Sequence, residues 1–341
     1  MLVASALMSG RLNRRAFIGF LAATAAARAQ PAIAQQPKRL PVVAIVYSIG
    51  SVADMVGTDP LGVNMRAFER GLRDLGWIEG RTVMIERRSS EGEPKQAMAL
   101  LTKVIARGPD VIILGGARWL HEAALRATRT TPIVASFGED PVAAGLISSL
   151  AQPGGNLTGV TRTTGPDFYS KALDLLRQAA PGITRVAFLA PQEALVAHQA
   201  VTRPAGITII SAPADISEQL DAAFENIRRE RADALLVPSG PIFLLNAQRI
   251  AAFAADSKLP GLFGMRQSVE AGGLMSYGPS ISALYLQMAR QVDRILKGAR
   301  PQDIPTEQPT TFELVINVKA AKALGLTIPT TLLTLADEVT E

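Results

Sequence analysis

Short apolar runs rich in β-branched residues alternate along this chain with longer segments whose apolar positions recur every three to four residues, the pattern of parallel βαβ units. In the first half the pattern predicts strands over residues 42–47, 82–87, 111–114, 133–136 and 157–161, with helices starting near Pro60, Pro94 and Arg118. The first of these helices carries Met65, Phe68, Leu72 and Leu75 on one stripe and stops at Gly76. The second half repeats the theme, with strands over 186–189, 207–211, 234–237, 261–263 and 274–277 and helices near 166–179, 193–203, 216–230 and 241–256. Unbroken runs such as VIIL and ALLV suit strands buried on both faces, as parallel sheets require.

The tail departs from this rhythm. Residues 282–297 read as one long helix with Leu284, Met288, Val292 and Ile295 on a stripe; GARPQDIP breaks it, FELVIN reads as a further strand, and a short helix over 318–324 and an acidic turn around Asp337 and Glu338 follow. A strand so late implies that the chain passes between two α/β lobes three times, near 159–165, 278–282 and 298–305. Residues 38–159 with 280–304 then make one lobe, and 160–279 with 305–341 the other. Two lobes joined by several bridges form a hinge with a cleft between them.

Residues 1–34 have the order of an export signal: Arg14 and Arg15 in NRRAFIG, an uncharged run over 16–27, then small-residue sites at Ala27-Arg28-Ala29 and Ala32-Ile33-Ala34. The paired arginines suggest the twin-arginine route. As a helix the uncharged run spans only about 18 Å against a hydrocarbon core of about 30 Å, so it reads as a cleaved signal and the product has no stable membrane insertion. This segment holds four of the 35 Lys+Arg and none of the 30 Asp+Glu, leaving a nearly balanced remainder without the footprint of a nucleic-acid binder. The absence of cysteine excludes disulfides, thiolate ligands, a cysteine nucleophile and a lipid-modified N-terminus. A soluble periplasmic protein stabilised by its cores is the expectation.

Ligands of parallel α/β sheets lie beyond the carboxyl ends of the strands. Among the loops there, the candidate ligand-binding residues are Ser48, Gly116, Ala117, Arg118, Ser136, Phe137, Asp140, Thr161, Arg162, Pro238, Ser239 and Tyr277. Glycines let backbone amides approach a ligand, serines supply hydroxyls, and Arg118 and Arg162 at strand ends suit a bidentate carboxylate grip. Asp140 before Pro141 also reads as a helix cap, and Tyr277 falls at a lobe junction.

Three long segments, SFGEDPVAAGLISSLAQPGGNLTGVT (136–161), AGGLMSYGPS (271–280) and QPTTFELVINVKAAKALGLTIPTTLLTLADEV (308–339), together with the RRAFIG signal, resemble the ABC transporter substrate-binding protein family related to the tryptophan-binding TrpX proteins. The resemblance covers essentially the whole chain. It implies a type I periplasmic binding protein fold, with two Rossmann-like lobes joined by three crossovers in a venus-flytrap arrangement. It also implies capture of a small solute for an ABC permease and its ATPase; the strand-end loops and bridges point to a small polar ligand, such as an amino acid or other carboxylate. No cofactor or metal is implied.

Two other classes share these features: a periplasmic sensor subunit presenting ligand to a membrane kinase, and a periplasmic α/β enzyme. Against the enzyme, the two histidines, His121 and His198, lie in helical runs outside any GxSxG context and read as packed or solvated helix residues. HExxH, EF-hand, P-loop and GxGxxG patterns are all missing.

Overall fold

The computed structural model describes residues 39–56, 60–138, 140–162, 166–192, 194–195 and 206–341. The expected signal segment lies outside the described residues, as does the helix expected near 193–203 except for residues 194–195.

The first sheet is entirely parallel. Its strands are β1 (Val42–Tyr47), β2 (Met84–Ser89), β3 (Val111–Gly115), β4 (Ile133–Phe137) and β5 (Leu157–Thr161), in the order β2-β1-β3-β4-β5. Between them run α1 (Pro60–Asp74), α2 (Pro94–Ile105) and α3 (Arg118–Ala127). The VIIL strand is buried along its whole length because helices cover both faces of the sheet.

After α4 (Pro166–Ala179) the second sheet begins with β6 (Arg185–Ala190) and β7 (Thr208–Pro213). There follow α5 (Leu220–Arg229), β8 (Ala234–Val237), α6 (Pro241–Leu245), α7 (Ala247–Asp256), β9 (Gly261–Phe263), α8 (Arg266–Glu270) and β10 (Met275–Pro279). The chain then returns to the first lobe as α9 (Ile281–Leu296), whose apolar stripe packs on α1. It comes back as β11 (Phe312–Asn317), α10 (Val318–Ala323), α11 (Thr330–Leu335) and β12 (Glu338–Thr340), completing the order β12-β11-β10-β9-β8-β6-β7. Arriving from the first lobe, β11 runs antiparallel to β10, the one antiparallel pairing in the described sheets.

The three connections lie against one another. Glu307 bridges to Val160, with the Glu307 amide donating to Gly159 and the Thr161 amide to Glu307. The Gln291 amide on α9 donates to the carbonyls of Gly159 and Pro305 and to the Glu307 carboxylate. The Ser280 amide donates to Thr311.

Several elements differ from the sequence pattern. The second strand is shifted two residues toward the C-terminus, to Met84–Ser89, and the strand expected over 207–211 runs to Pro213. The single helix expected over 241–256 breaks at Asn246, whose side chain donates to the Ile242 carbonyl and to Ser217. The acidic turn at Asp337–Glu338 opens a strand, which its side-chain pattern conceals because it is a three-residue edge. Among the described residues no helix is long and apolar enough to cross a membrane.

Candidate functional site

A cavity of about 520 Å³ opens between the two sheets. Its walls are the segments that follow the carboxyl ends of eight parallel strands, β1 to β5 on one side and β6 to β8 on the other. Parallel strands bring all these loops to one edge of each sheet, and the crossovers turn those edges toward each other. Among the described residues the lining carries two arginines (Arg118, Arg162), five carboxylates (Glu91, Glu93, Glu122, Asp215, Glu218) and four aromatic rings (Trp119, His121, Phe137, Tyr169).

On the first lobe the β3–α3 turn is built around Gly116. Its φ is +119°, and a β-carbon there would lie 1.9 Å from Ser48 Oγ, so both the backbone and the space require glycine. The turn lets the Ala117 amide donate to Ser48 Oγ at 2.9 Å, and α3 starts at the next residue. Arg118 then spends its donors locally, Nε to Glu122 Oε1 at 2.8 Å and Nη2 to the Ala144 carbonyl at 3.2 Å.

One turn further along α3, His121 is 2% exposed and meets the Phe137 ring edge-on at 5.4 Å. Burial, and secondly the neighbouring Arg162 charge, lower its pKa to about 3, so the imidazole is neutral. Its Nε2 is buried without a hydrogen-bond partner. Arg162 follows β5; its amide donates to the Phe137 carbonyl, and its guanidinium crosses Gly138, where a β-carbon would sit 2.5 Å from Nη2. His121, Phe137, Gly138 and Arg162 thus form one continuous wall.

The second lobe presents Pro191, Ala194, Asp215–Glu218 and the Pro238-Ser239-Gly240 turn. Asp215 accepts the Gln192 amide, tying the β6 and β7 loops together. Tyr169 on α4 stands edge-on to both Phe168 and Phe188 at 5.3 Å. Ile216 and Leu245 are exposed apolar residues on the rim.

Of the residues singled out by sequence, Gly116, Ala117, Arg118, Phe137, Arg162, Pro238 and Ser239 come together on this cavity. The other five do not line it. Ser48 lies beneath the wall as the acceptor for Ala117, and Ser136 is buried in β4 opposite Val160. Asp140 caps the turn after it by accepting the Val142 and Ala143 amides, and Thr161 is buried beside Glu307. Tyr277 stacks with Phe168 and Phe312, both at 5.6 Å, inside the second lobe. The β9–α8 loop, Gly264–Arg266, lines a second cavity of about 500 Å³ with Ser280 and Glu313; there Arg266 pairs with Glu270 and Glu338.

The pattern missed Glu91 and Glu93 because the second strand was placed two residues early, which hid the loop where the Gly92 amide donates to the Ser48 carbonyl. Asp215 and Glu218 were missed for the same reason after β7. Trp119 and Tyr169 sit in the first turns of helices that follow strand ends, a positional signal the residues themselves do not carry.

Two α/β lobes linked by three adjacent connections, with a cleft at the carboxyl ends of both sheets, have the type I periplasmic binding protein fold. Residues 49–340 match the ABC transporter substrate binding protein family, and the chain belongs to that family. A similar solved structure is a conserved domain protein from Vibrio cholerae O1 biovar eltor, with TM-score 0.80 and 24% identity over 89% of this chain and all of that one. Another is an ABC domain from Streptococcus pneumonia in complex with L-Trp, with TM-score 0.78 and 23% identity over 88% of this chain and 99% of that one. The chain is also 22% identical over 283 residues to the tyrosine-binding protein of Clostridioides difficile (strain R20291), covering 81% of this chain and 80% of that protein.

Proposed function

We propose that the protein is the solute-capturing component of an ABC importer, exported by its N-terminal signal to the periplasm. There it closes its lobes over an amino acid with an aromatic side chain and delivers it to a permease and its ATPase. The observation that carries this reading is the composition of the interlobe cavity, which places arginine, carboxylate and aromatic groups from both lobes around one space. An amino acid is a zwitterion: its carboxylate suits an arginine, its ammonium suits the excess of carboxylates, and an aromatic side chain suits the ring-bearing walls. The names of the relatives, one bound to L-Trp and one called tyrosine-binding, point the same way.

The test is isothermal titration of the purified protein, without its first 34 residues, against the common amino acids, with a parallel thermal-shift series. Saturating binding by L-tyrosine or L-tryptophan with a concentration-dependent rise in Tm supports the reading, the rise being about 2.7 kcal/mol of stabilisation at 100 times Kd. Binding of sugars but no amino acid sinks it. Loss of uptake of the same amino acid on deleting the gene tests the importer role.

A further inference from the structure

We propose that His121 is a ligand-binding residue, donating through its imidazole to the ligand carboxylate, which it holds together with Arg162 on the wall of the first lobe. This rests on the amino-acid reading above and assigns the subsite that holds the carboxylate.

Four observations lead there. First, His121 is buried in the cavity wall and its Nε2 has no hydrogen-bond partner. Native interiors seldom carry an orphaned polar nitrogen unless something else fills the vacancy. Second, packing does not explain a histidine here. Its ring sits edge-on to Phe137, a contact that phenylalanine makes without burying a polar atom. Third, the imidazole is neutral, so it has an N–H to give, and the charge that acts on it is the Arg162 cation. A group that an N–H donor and a guanidinium both attract is an anion. Fourth, the Arg162 guanidinium lies over Gly138 in the same wall as His121, whereas Arg118 turns to Glu122 and the Ala144 carbonyl, so the paired-arginine grip suggested by the sequence becomes an arginine–histidine pair. The ligand ammonium is left to the carboxylates of Glu91, Glu93, Asp215 and Glu218 around the same cavity.

The experiment compares L-tyrosine and L-tryptophan with their decarboxylated amines, tyramine and tryptamine, on wild type, His121→Phe and His121→Asn. His121→Phe keeps the ring contact and removes the donor, so amino-acid affinity is expected to fall about 10- to 100-fold while amine affinity is unchanged. His121→Asn, which keeps an N–H, is expected to recover part of the loss. Because the chain has two histidines, imidazole nitrogen NMR on ¹⁵N-histidine-labelled wild type gives a readout that survives misfolding of the variants. One imidazole should shift with the amino acid and stay put with the amine. Unchanged amino-acid affinity in folded His121→Phe, equal losses for acid and amine, or no imidazole shift overturns the proposal while leaving the amino-acid reading intact. Failure of wild type to bind any amino acid overturns both.

Discussion

The Arg162 guanidinium rests on the backbone of Gly138, so closely that a β-carbon at 138 would lie 2.5 Å from Nη2. The cavity wall therefore holds its cation in place by lacking a side chain at the next strand end. Replacing Gly138 with valine pushes the guanidinium out of the wall while leaving the β4 backbone able to adopt its present conformation. Amino-acid affinity should drop about 10- to 100-fold with little change in Tm, measured by titration calorimetry and thermal shift. Unchanged affinity would show that Arg162 acts from another position.

Gly116 is constrained twice, by a φ of +119° and by Ser48 Oγ at 1.9 Å from any β-carbon. Gly116→Ala should cost about 2–4 kcal/mol of stability, combining left-handed backbone strain with overpacking. A shift in the urea midpoint at constant slope measures it; a shift below half a kcal/mol would refute the strain argument.

His121 makes stability depend on pH with a definite sign. Its pKa is about 3 in the folded protein, mainly from burial and then from Arg162, against 6.5 for the ordinary group. Between those values the unfolded chain binds a proton that the folded chain does not, so stability is full above pH 6.5 and is lost as pH falls toward 3. Each unit removes about 1.4 kcal/mol, or about 2 kcal/mol between pH 7 and pH 5. Chemical denaturation across this range should show the slope in wild type, and the difference between wild type and His121→Phe isolates it. Parallel curves for the two proteins would contradict a buried neutral imidazole.

Asp140 accepts the Val142 and Ala143 amides at 2.8 and 3.2 Å, outside the cavity. Asp140→Ala should therefore lose about 1 kcal/mol of stability, the ordinary cost of a missing cap, with ligand affinity unchanged. A selective loss of affinity would place this residue in the site after all.

The fold was largely legible because its signals are local. Two-faced burial writes VIIL and ALLV into the strands, and the stripe of Met65, Phe68 and Leu72 marks α1 before any tertiary contact is known. The site was legible only where strand ends were well placed. Arg162 and the 238–239 turn follow strands read at their true ends, and Gly116 to Arg118 and Phe137 lie at the ends of strands read only one residue short. Glu91, Glu93, Asp215 and Glu218 follow strands read as ending two residues early.

By itself the sequence determined the succession of βαβ units, the late return of the chain and the families of loops that gather at strand ends, since periodicity and turn residues act over a few positions. Only the tertiary structure decided which way each loop residue faces. Tyr277 went into a stack with Phe168 and Phe312, Ser48 went beneath Gly116, and Arg118 turned to Glu122. His121, a helix residue without any motif, became part of the cleft wall because Phe137 and Arg162 arrive beside it from β4 and β5. Such partners are set by packing between distant segments, and no spacing along the chain encodes that directly.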